Sequence, residues 1–212
     1  MRPINKIKPR WSKSTAYLVG LITTDGSLSK DGRHIAIISK DKNLLEKIKE
    51  RFNLNITISP KLNAYTKRKD CYIIQFGDII FYQWLLKIGL MPNKTKIISE
   101  LKIPNKFFFD FLRGHFDGDG SFYSYWDPRW KSSFMFYLTF ISASQNHIEW
   151  LQRKISELLK INGRIKKDKN VFSLRFAKRE SLKLIRKFYQ DENLIYLERK
   201  QTKIMKALTQ DK

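Results

Sequence analysis

The stretch that decides the fold is written twice: Tyr17-Leu18-Val19-Gly20-Leu21-Ile22-Thr23-Thr24-Asp25-Gly26-Ser27-Leu28, and then Phe111-Leu112-Arg113-Gly114-His115-Phe116-Asp117-Gly118-Asp119-Gly120-Ser121-Phe122. Superposed without a gap, Gly20 falls on Gly114, Asp25 on Asp119, Gly26 on Gly120 and Ser27 on Ser121. Each copy reads as an apolar helix that stops at Asp-Gly and turns into a strand. A glycine inside such a helix costs about 1 kcal/mol against alanine. Two of them at matching places, Gly20 and Gly114, point to two helices whose backbones touch, with Gly118 a second small residue on the later one.

The surroundings repeat as well. After the first copy, Ser27–Ser39 reads as a hairpin turning at Lys30-Asp31-Gly32-Arg33, after a helix capped by Ser14 or Thr15. Asp41 caps a helix over 44–52, and a second hairpin, 56–62 and 72–76, turns at Lys67-Arg68-Lys69. Asp78 starts a helix over 79–88 stopped by Gly89, and a short helix runs from Asn93 or Thr95 to Leu101. After the second copy the order returns: a hairpin over 121–142 with Trp126-Asp127-Pro128-Arg129-Trp130 at its tip, a helix over 145–159, a hairpin over 163–176, and helices over 180–189 and 195–208. The match drifts by nine residues between Asp25/Asp119 and Asn43/Asn146, which puts an insertion in the second half's first hairpin. The organisation is a basic lead-in at 1–13, one half at 14–100, a connection at 101–106 and a second half at 107–212, with Pro104 suited to the first turn of the second motif helix. The fold class is α+β, with two pseudo-twofold-related αββαββα halves.

With 42% hydrophobic and 14% aromatic residues, the chain can bury a core and is not a disordered basic tail. No apolar run approaches the roughly 20 residues that span a bilayer, and the polar N-terminus has no signal-peptide core. The single Cys71 excludes an intrachain disulfide and a cysteine zinc site. A soluble, intracellular protein is expected. The formal charge of +22 is shared evenly, +11 over 1–100 and +11 over 101–212. Self-repulsion of that size favours a polyanionic partner. Nucleic acid fits better than a membrane surface, because no helix is strongly one-sided basic and apolar.

If the two motif helices pack in parallel, Asp25 and Asp119 meet at the negative end of both helix dipoles. Stability alone disfavours that meeting, whereas a divalent cation reverses its sign. Carboxylates, carbonyls and water are the hard ligands of Mg²⁺, and two acids sharing metal beside a phosphodiester suit in-line hydrolysis. His34, His115 and His147 share no metal-ligand spacing, so neither a histidine nuclease nor zinc is expected.

Both copies are similar to the LAGLIDADG motif, and from about Tyr17 to Leu208 the chain resembles a single-chain, two-motif LAGLIDADG homing endonuclease. The first copy departs from the family letters at Thr23, where the second has Asp117; that position is secondary. The resemblance implies a monomeric endonuclease whose β-sheets form a saddle on double-stranded DNA and which leaves short 3′ overhangs. It implies Mg²⁺, with Mn²⁺ or Ca²⁺ substituting in binding, held at Asp25 and Asp119 with the preceding residues Thr24 and Gly118. It also implies one basic residue per half supporting the reaction: Lys200, in Leu197-Glu198-Arg199-Lys200-Gln201, and Lys94. Two other roles occur on the same fold, an intron-RNA maturase and a non-catalytic DNA-binding regulator. No N-terminal Cys or Ser and no C-terminal His-Asn points to a self-splicing intein.

A two-stranded ribbon fits a major groove, and alternate strand residues share a face. The DNA-reading residues expected in the first half are Ser27, Ser29, Arg33, His34, Lys61, Asn63, Tyr65, Lys67, Arg68, Lys69 and Gln75. In the second they are Tyr123, Tyr125, Arg129, Lys131, Arg164, Lys166, Lys169, Ser173 and Arg175. A slip of one residue would turn every one of them to the other face. The tryptophan-bearing tip either reaches flanking DNA or packs on itself.

Overall fold

The computed structural model describes residues 6–62, 67–130 and 132–210. The first half runs α1 (Lys13–Asp25), β1 (Gly26–Leu28), β2 (His34–Ser39), α2 (Lys42–Arg51), β3 (Ser59–Lys61), β4 (Cys71–Gly77) and α3 (Ile79–Lys87). The second runs α4 (Phe108–Asp119), β5 (Ser121–Trp126), β6 (Phe134–Ser142), α5 (Gln145–Leu159), β7 (Arg164–Asp168), β8 (Val171–Phe176), α6 (Lys178–Phe188) and α7 (Glu198–Gln210). The sheets are antiparallel with the same strand order, β1-β2-β4-β3 and β5-β6-β8-β7. The insertion lengthens β5 and β6 beyond β1 and β2. This is the expected α+β architecture of two like halves.

The core forms where α1 lies on α4. Tyr17, Leu18, Val19, Leu21 and Ile22 of one, and Phe108, Phe111, Leu112 and Phe116 of the other, are wholly buried. Helices cover one face of each sheet, α1, α2 and α3 on the first and α4, α5 and α6 on the second. Among the described residues no helix lies on the opposite faces. Register separates the two sides: Leu28, Ile35 and Phe76 form a buried row in one sheet, and Phe122, Leu138 and Phe176 the equivalent row in the other.

Several boundaries differ from the sequence reading, some of them because a tertiary bond claims the groups involved. Helix α1 is capped by Ser12, whose hydroxyl accepts from Thr15 N–H at 3.1 Å, and not by Ser14 or Thr15. Asp41 precedes α2 without capping it, because its carboxylate accepts from Arg199 Nε at 2.8 Å. Strand β3 is only three residues long. In place of a helix to Leu101 there is a single 3₁₀ turn, Lys94–Lys96. The next carbonyls serve the second half: Ile98 O accepts from Ser144 Oγ, and Ser99 O lies 2.7 Å from His147 Nδ1. Pro104 leads into a 3₁₀ turn at Asn105–Phe107 before α4 begins.

Helix α7 begins at Glu198 rather than at 195. Upstream, Ile195 O accepts from Arg113 Nε at 3.1 Å and Leu197 N–H donates to Asp117 Oδ2 at 2.8 Å. The two halves also clasp each other reciprocally. Residues 98–105 lie on α5 of the second half, where Lys154 donates to Asn105 Oδ1 at 2.8 Å and Arg153 pairs with Glu100. Residues 193–199 lie on α2 of the first half, where Lys47 pairs with Glu198 at 2.6 Å and Arg51 donates to Asn193 O at 2.7 Å.

Candidate metal and nucleic-acid site

Local sequence brings the two acids together. A Cβ on Gly20 would stand 2.0 Å from Phe111 O, and one on Gly114 would stand 2.1 Å from Tyr17 O. Glycine alone permits that approach. The helices run parallel, since Gly118 further along meets Thr24 and stands close to Asp25 Oδ2. After each acid the chain folds back against its own helix: a Cβ on Gly26 would lie 2.6 Å from Ile22 Cα, and one on Gly120 2.5 Å from Phe116 O. Asp25 and Asp119 therefore end their helices side by side, between the two sheets.

The electrostatics match the geometry. Burial, and then the charge of Asp119, raises Asp25 from 3.8 to about 7. Burial raises Asp119 too, although its side chain reaches solvent, and Lys200 and Lys94 oppose that rise. Both lysines are buried at the foot of the pair. Lys94 Nζ donates to Gly26 O, and Lys200 Nζ donates to Gly120 O at 2.7 Å, the equivalent carbonyl of the other motif. Lys200 also reaches Phe116 O at 2.6 Å, Asp117 O at 2.8 Å and Gly118 O at 3.1 Å. The ammonium groups thus close the carbonyl ends of the two motif helices, where cations are favoured. Burial lowers both to about 8.

Of the other expected ligand positions, Gly118 offers a carbonyl already engaged by Lys200, and the Thr24 hydroxyl donates back to Leu21 O at 3.1 Å. Asp117 turns away from the acid pair. It is buried, and its Oδ2 accepts from Tyr17 O–H and Leu197 N–H, each at 2.8 Å. Among the described residues no group of three or more His, Cys, Asp or Glu side chains is placed to hold a metal ion. A cation at Asp25 and Asp119 would complete its shell with carbonyl, water and phosphate oxygens, the donor set Mg²⁺ accepts.

The strand registers place these residues as follows. Ser27 and Gln75 lie in one row through Ala36, on the side away from the helices. Lys61 pairs with Cys71, and His34 with Gly77. In the second sheet Tyr123, Tyr125, Ser173, Arg175, Arg164 and Lys166 share the uncovered face. Ser29 and Arg33 sit in the first hairpin turn. His34 is held there by Asp31, which also accepts from Arg33 N–H at 3.1 Å. Lys67, Arg68 and Lys69 lie in the exposed turn before β4, and Lys169 in the turn between β7 and β8. Arg129 folds onto Asp127 at 3.2 Å. Asn63, Tyr65 and Lys131 lie outside the described residues. At the tip Trp126 packs on Phe134 while Trp130 stays 70% exposed.

Three features escaped the sequence reading. Tyr137 and Thr139 share the uncovered face of the second sheet; the alternation Phe136, Leu138, Phe140 around them was the available signal. His115 and His147 stack at 5.2 Å, and with Asp119 they help line a cavity of about 50 Å³. Arg113, fully buried, ties Phe188 O, Ile195 O and Asp110 together.

Comparison with known proteins agrees with this picture. Residues 12–99 match the model of a LAGLIDADG-like domain, and residues 108–207 match the WhiA LAGLIDADG-like domain. The chain thus belongs to the LAGLIDADG-like proteins of the two-motif, single-chain type. Among solved structures it is similar to the N-terminal LAGLIDADG domain of DUF199/WhiA, at 17% identity and a TM-score of 0.57, covering 92% of this chain and 90% of that one. It is similar to the I-LtrWI LAGLIDADG homing endonuclease bound to target DNA, at 18% and 0.59, covering 93% and 90%. It also matches I-DmoI in complex with DNA and Mn, at 16% and 0.56, covering 85% and 98%. An uncharacterized protein of Methanocaldococcus jannaschii is 27% identical over 120 residues, which take in 55% of this chain and 44% of that protein, so the match spans less than half of the relative's length. Among the described residues no helix is long and apolar enough to cross a membrane.

Proposed function

We propose that this chain is a site-specific, divalent-metal-dependent DNA endonuclease that cuts both strands of an asymmetric duplex target and leaves short 3′ overhangs. The observation that carries this reading is the pairing of Asp25 with Asp119 at the carbonyl ends of two touching helices. Burial, and then the charge of Asp119, raises Asp25 to about 7, an arrangement that weakens the metal-free fold. A hard cation such as Mg²⁺ removes that cost, with Mn²⁺ or Ca²⁺ taking its place in binding. When bound, it supplies charge for the phosphoryl oxygens and lowers the pKa of a coordinated water.

The chain's own groups do the rest. Asp25 and Asp119 hold the cation at the junction of the halves, so one chain suffices for two cuts. Lys94 and Lys200 fix the helix ends from which the acids project. The uncovered sheet faces and the Lys-rich turns meet the duplex, with the turns positioning it through phosphate and the strands reading base edges. The +22 charge supports a polyanionic partner, as do the DNA in the I-LtrWI structure and the DNA and Mn in the I-DmoI structure.

A second reading, a DNA-binding protein on this fold that does not cut, is favoured by the match of residues 108–207 to the WhiA LAGLIDADG-like model. A randomised duplex library incubated with Mg²⁺ separates the two. Cleavage is expected at one asymmetric site, on both strands. Retained sequence-specific binding with no cut in Mg²⁺ or Mn²⁺ would establish the second reading instead.

A further inference from the structure

The registers of the two sheets place a glutamine and an arginine at pseudo-symmetric positions of the DNA-facing surface. In the first half the row that starts two residues after Asp25 is Ser27, Ala36, Gln75. In the second half the row that starts two residues after Asp119 is Ser121, Thr139, Arg175. Each long side chain stands two strands across from the segment carrying its acid, about 10 Å away at ordinary strand spacing. Gln75 and Arg175 are both exposed and hold equivalent register positions relative to the acids.

Arg175 is also held in place. Its guanidinium carbon lies 5.6 Å from the ring centre of Tyr123 and 5.6 Å from that of Tyr137. Those two rings pair across β5 and β6 and are nearly parallel, 5.1 Å apart. Arg164 is its register partner on β7. Among the described residues no carboxylate or carbonyl accepts from Arg175. A fork of N–H donors, held beside two aromatic rings and without an acceptor among the described residues, is preorganised for a planar acceptor pair.

We infer that Gln75 and Arg175 are the residues that make the target asymmetric at one symmetry-related pair of positions. Arg175 reads guanine through O6 and N7, and Gln75 reads adenine through N6 and N7, the bidentate pairings these side chains make in the major groove. Tyr123 and Tyr137 are positioning residues that hold the arginine. The inference rests on the DNA-reading function proposed above.

Binding selection from a randomised duplex library, in Ca²⁺ so that no cutting intervenes, tests it with the wild-type chain, Arg175→Gln and Gln75→Arg. The wild-type consensus is expected to carry guanine in one half and adenine at the symmetry-related position of the other. Arg175→Gln should change that guanine to adenine and leave the rest of the consensus intact, and Gln75→Arg should do the reverse in the other half. Preference for the matched base over the others should be about tenfold or more. Tyr137→Phe should keep the guanine preference, whereas Tyr137→Ala should reduce it severalfold. A clear wild-type consensus with affinity lost equally for all sequences in Arg175→Gln would make the arginine a phosphate contact and overturn the inference alone. No wild-type consensus at all would overturn both this inference and the DNA-reading function beneath it.

Discussion

Gly20 and Gly114 each occupy the space a side chain would need against the other's helix: an added Cβ would lie 2.0 Å from Phe111 O in one case and 2.1 Å from Tyr17 O in the other. Phe111 and Tyr17 hold the same position in the two motifs, so the contact is its own mirror across the pseudo-twofold axis. Backbone carbonyls cannot swing aside. Whatever separates these helices also separates the two acids at their ends.

Gly20→Ala and Gly114→Ala are each expected to destabilise the fold by about 3 kcal/mol or more, the upper range for overpacking, because backbone must move. Gly118→Ala meets the Thr24 side chain, whose hydroxyl can turn aside but whose Cβ, at 2.7 Å, cannot, so its cost should be lower than theirs but still about 2–3 kcal/mol. Denaturant unfolding of the three variants checks the order. A Gly118→Ala variant less stable than the other two would contradict the packing described.

The acid pair makes a pH prediction with a definite sign. Asp25 is raised from 3.8 to about 7 in the fold. Between those values the native state holds a proton that the unfolded chain has lost, so this group's contribution to stability is full below about pH 4 and is lost as pH rises through 7. Asp25→Asn removes the titration. In chelator at pH 7.5 the variant should be more stable than wild type by about 1–2 kcal/mol, a value discounted for the solvent at the site. The gap should close toward pH 4. Added Mg²⁺ should raise the wild-type melting temperature at pH 7.5 and leave the variant nearly unmoved. Destabilisation by Asp25→Asn in chelator would sink the account.

Much of this site could be read from the letters because a duplication prints each functional position twice. Gly20 and Gly114, Asp25 and Asp119, and the strand parity that sets Gln75 and Arg175 outward all follow from local pattern. What stayed hidden depends on contacts between distant segments. The end of the first half looks helical, yet its Ile98 and Ser99 carbonyls are spent on Ser144 and His147 of α5. The start of α7 is delayed because Ile195 and Leu197 are bonded to Arg113 and Asp117 of α4. His115 and His147 show no metal-ligand spacing in sequence, and only the packing of α5 on the second sheet stacks them beside Asp119.

Lys200 and Lys94 should differ in what they cost the fold. Lys200 lies within hydrogen-bond reach of four carbonyls at the end of α4, which share its three N–H donors, and among the described residues Lys94 is bonded only to the carbonyl of Gly26. Buried acceptors left without a donor cost about 1–3 kcal/mol each before relaxation. Lys200→Met is therefore expected to lose at least about 2 kcal/mol and Lys94→Met about 1 kcal/mol. Below the melting temperature of both, each variant should cut more slowly while binding duplex nearly as wild type does. Equal losses of cutting and of affinity for Lys200→Met would reduce that residue to a phosphate contact.

Asp117 and Asp119 are two residues apart, match the motif equally well, and should behave oppositely. Asp117 is buried and raised to about 6, chiefly by burial, with Leu197 N–H and Tyr17 O–H working against the rise. Its Oδ2 joins α1, α4 and the segment before α7, while Oδ1 has no partner among the described residues. Asparagine at 117 keeps an acceptor for both donors and removes a buried charge. Asp117→Asn should be close to neutral in stability at pH 7.5 and should still cut. Asp117→Ala loses both bonds and should cost about 2–4 kcal/mol, and Tyr17→Phe, which removes one, about 1–2 kcal/mol. Asp119→Asn should bind duplex in the absence of metal yet fail to complete a double-strand break. Loss of cutting in Asp117→Asn, with its folding intact, would bring Asp117 into the metal site and overturn its assignment as the tie between the helices.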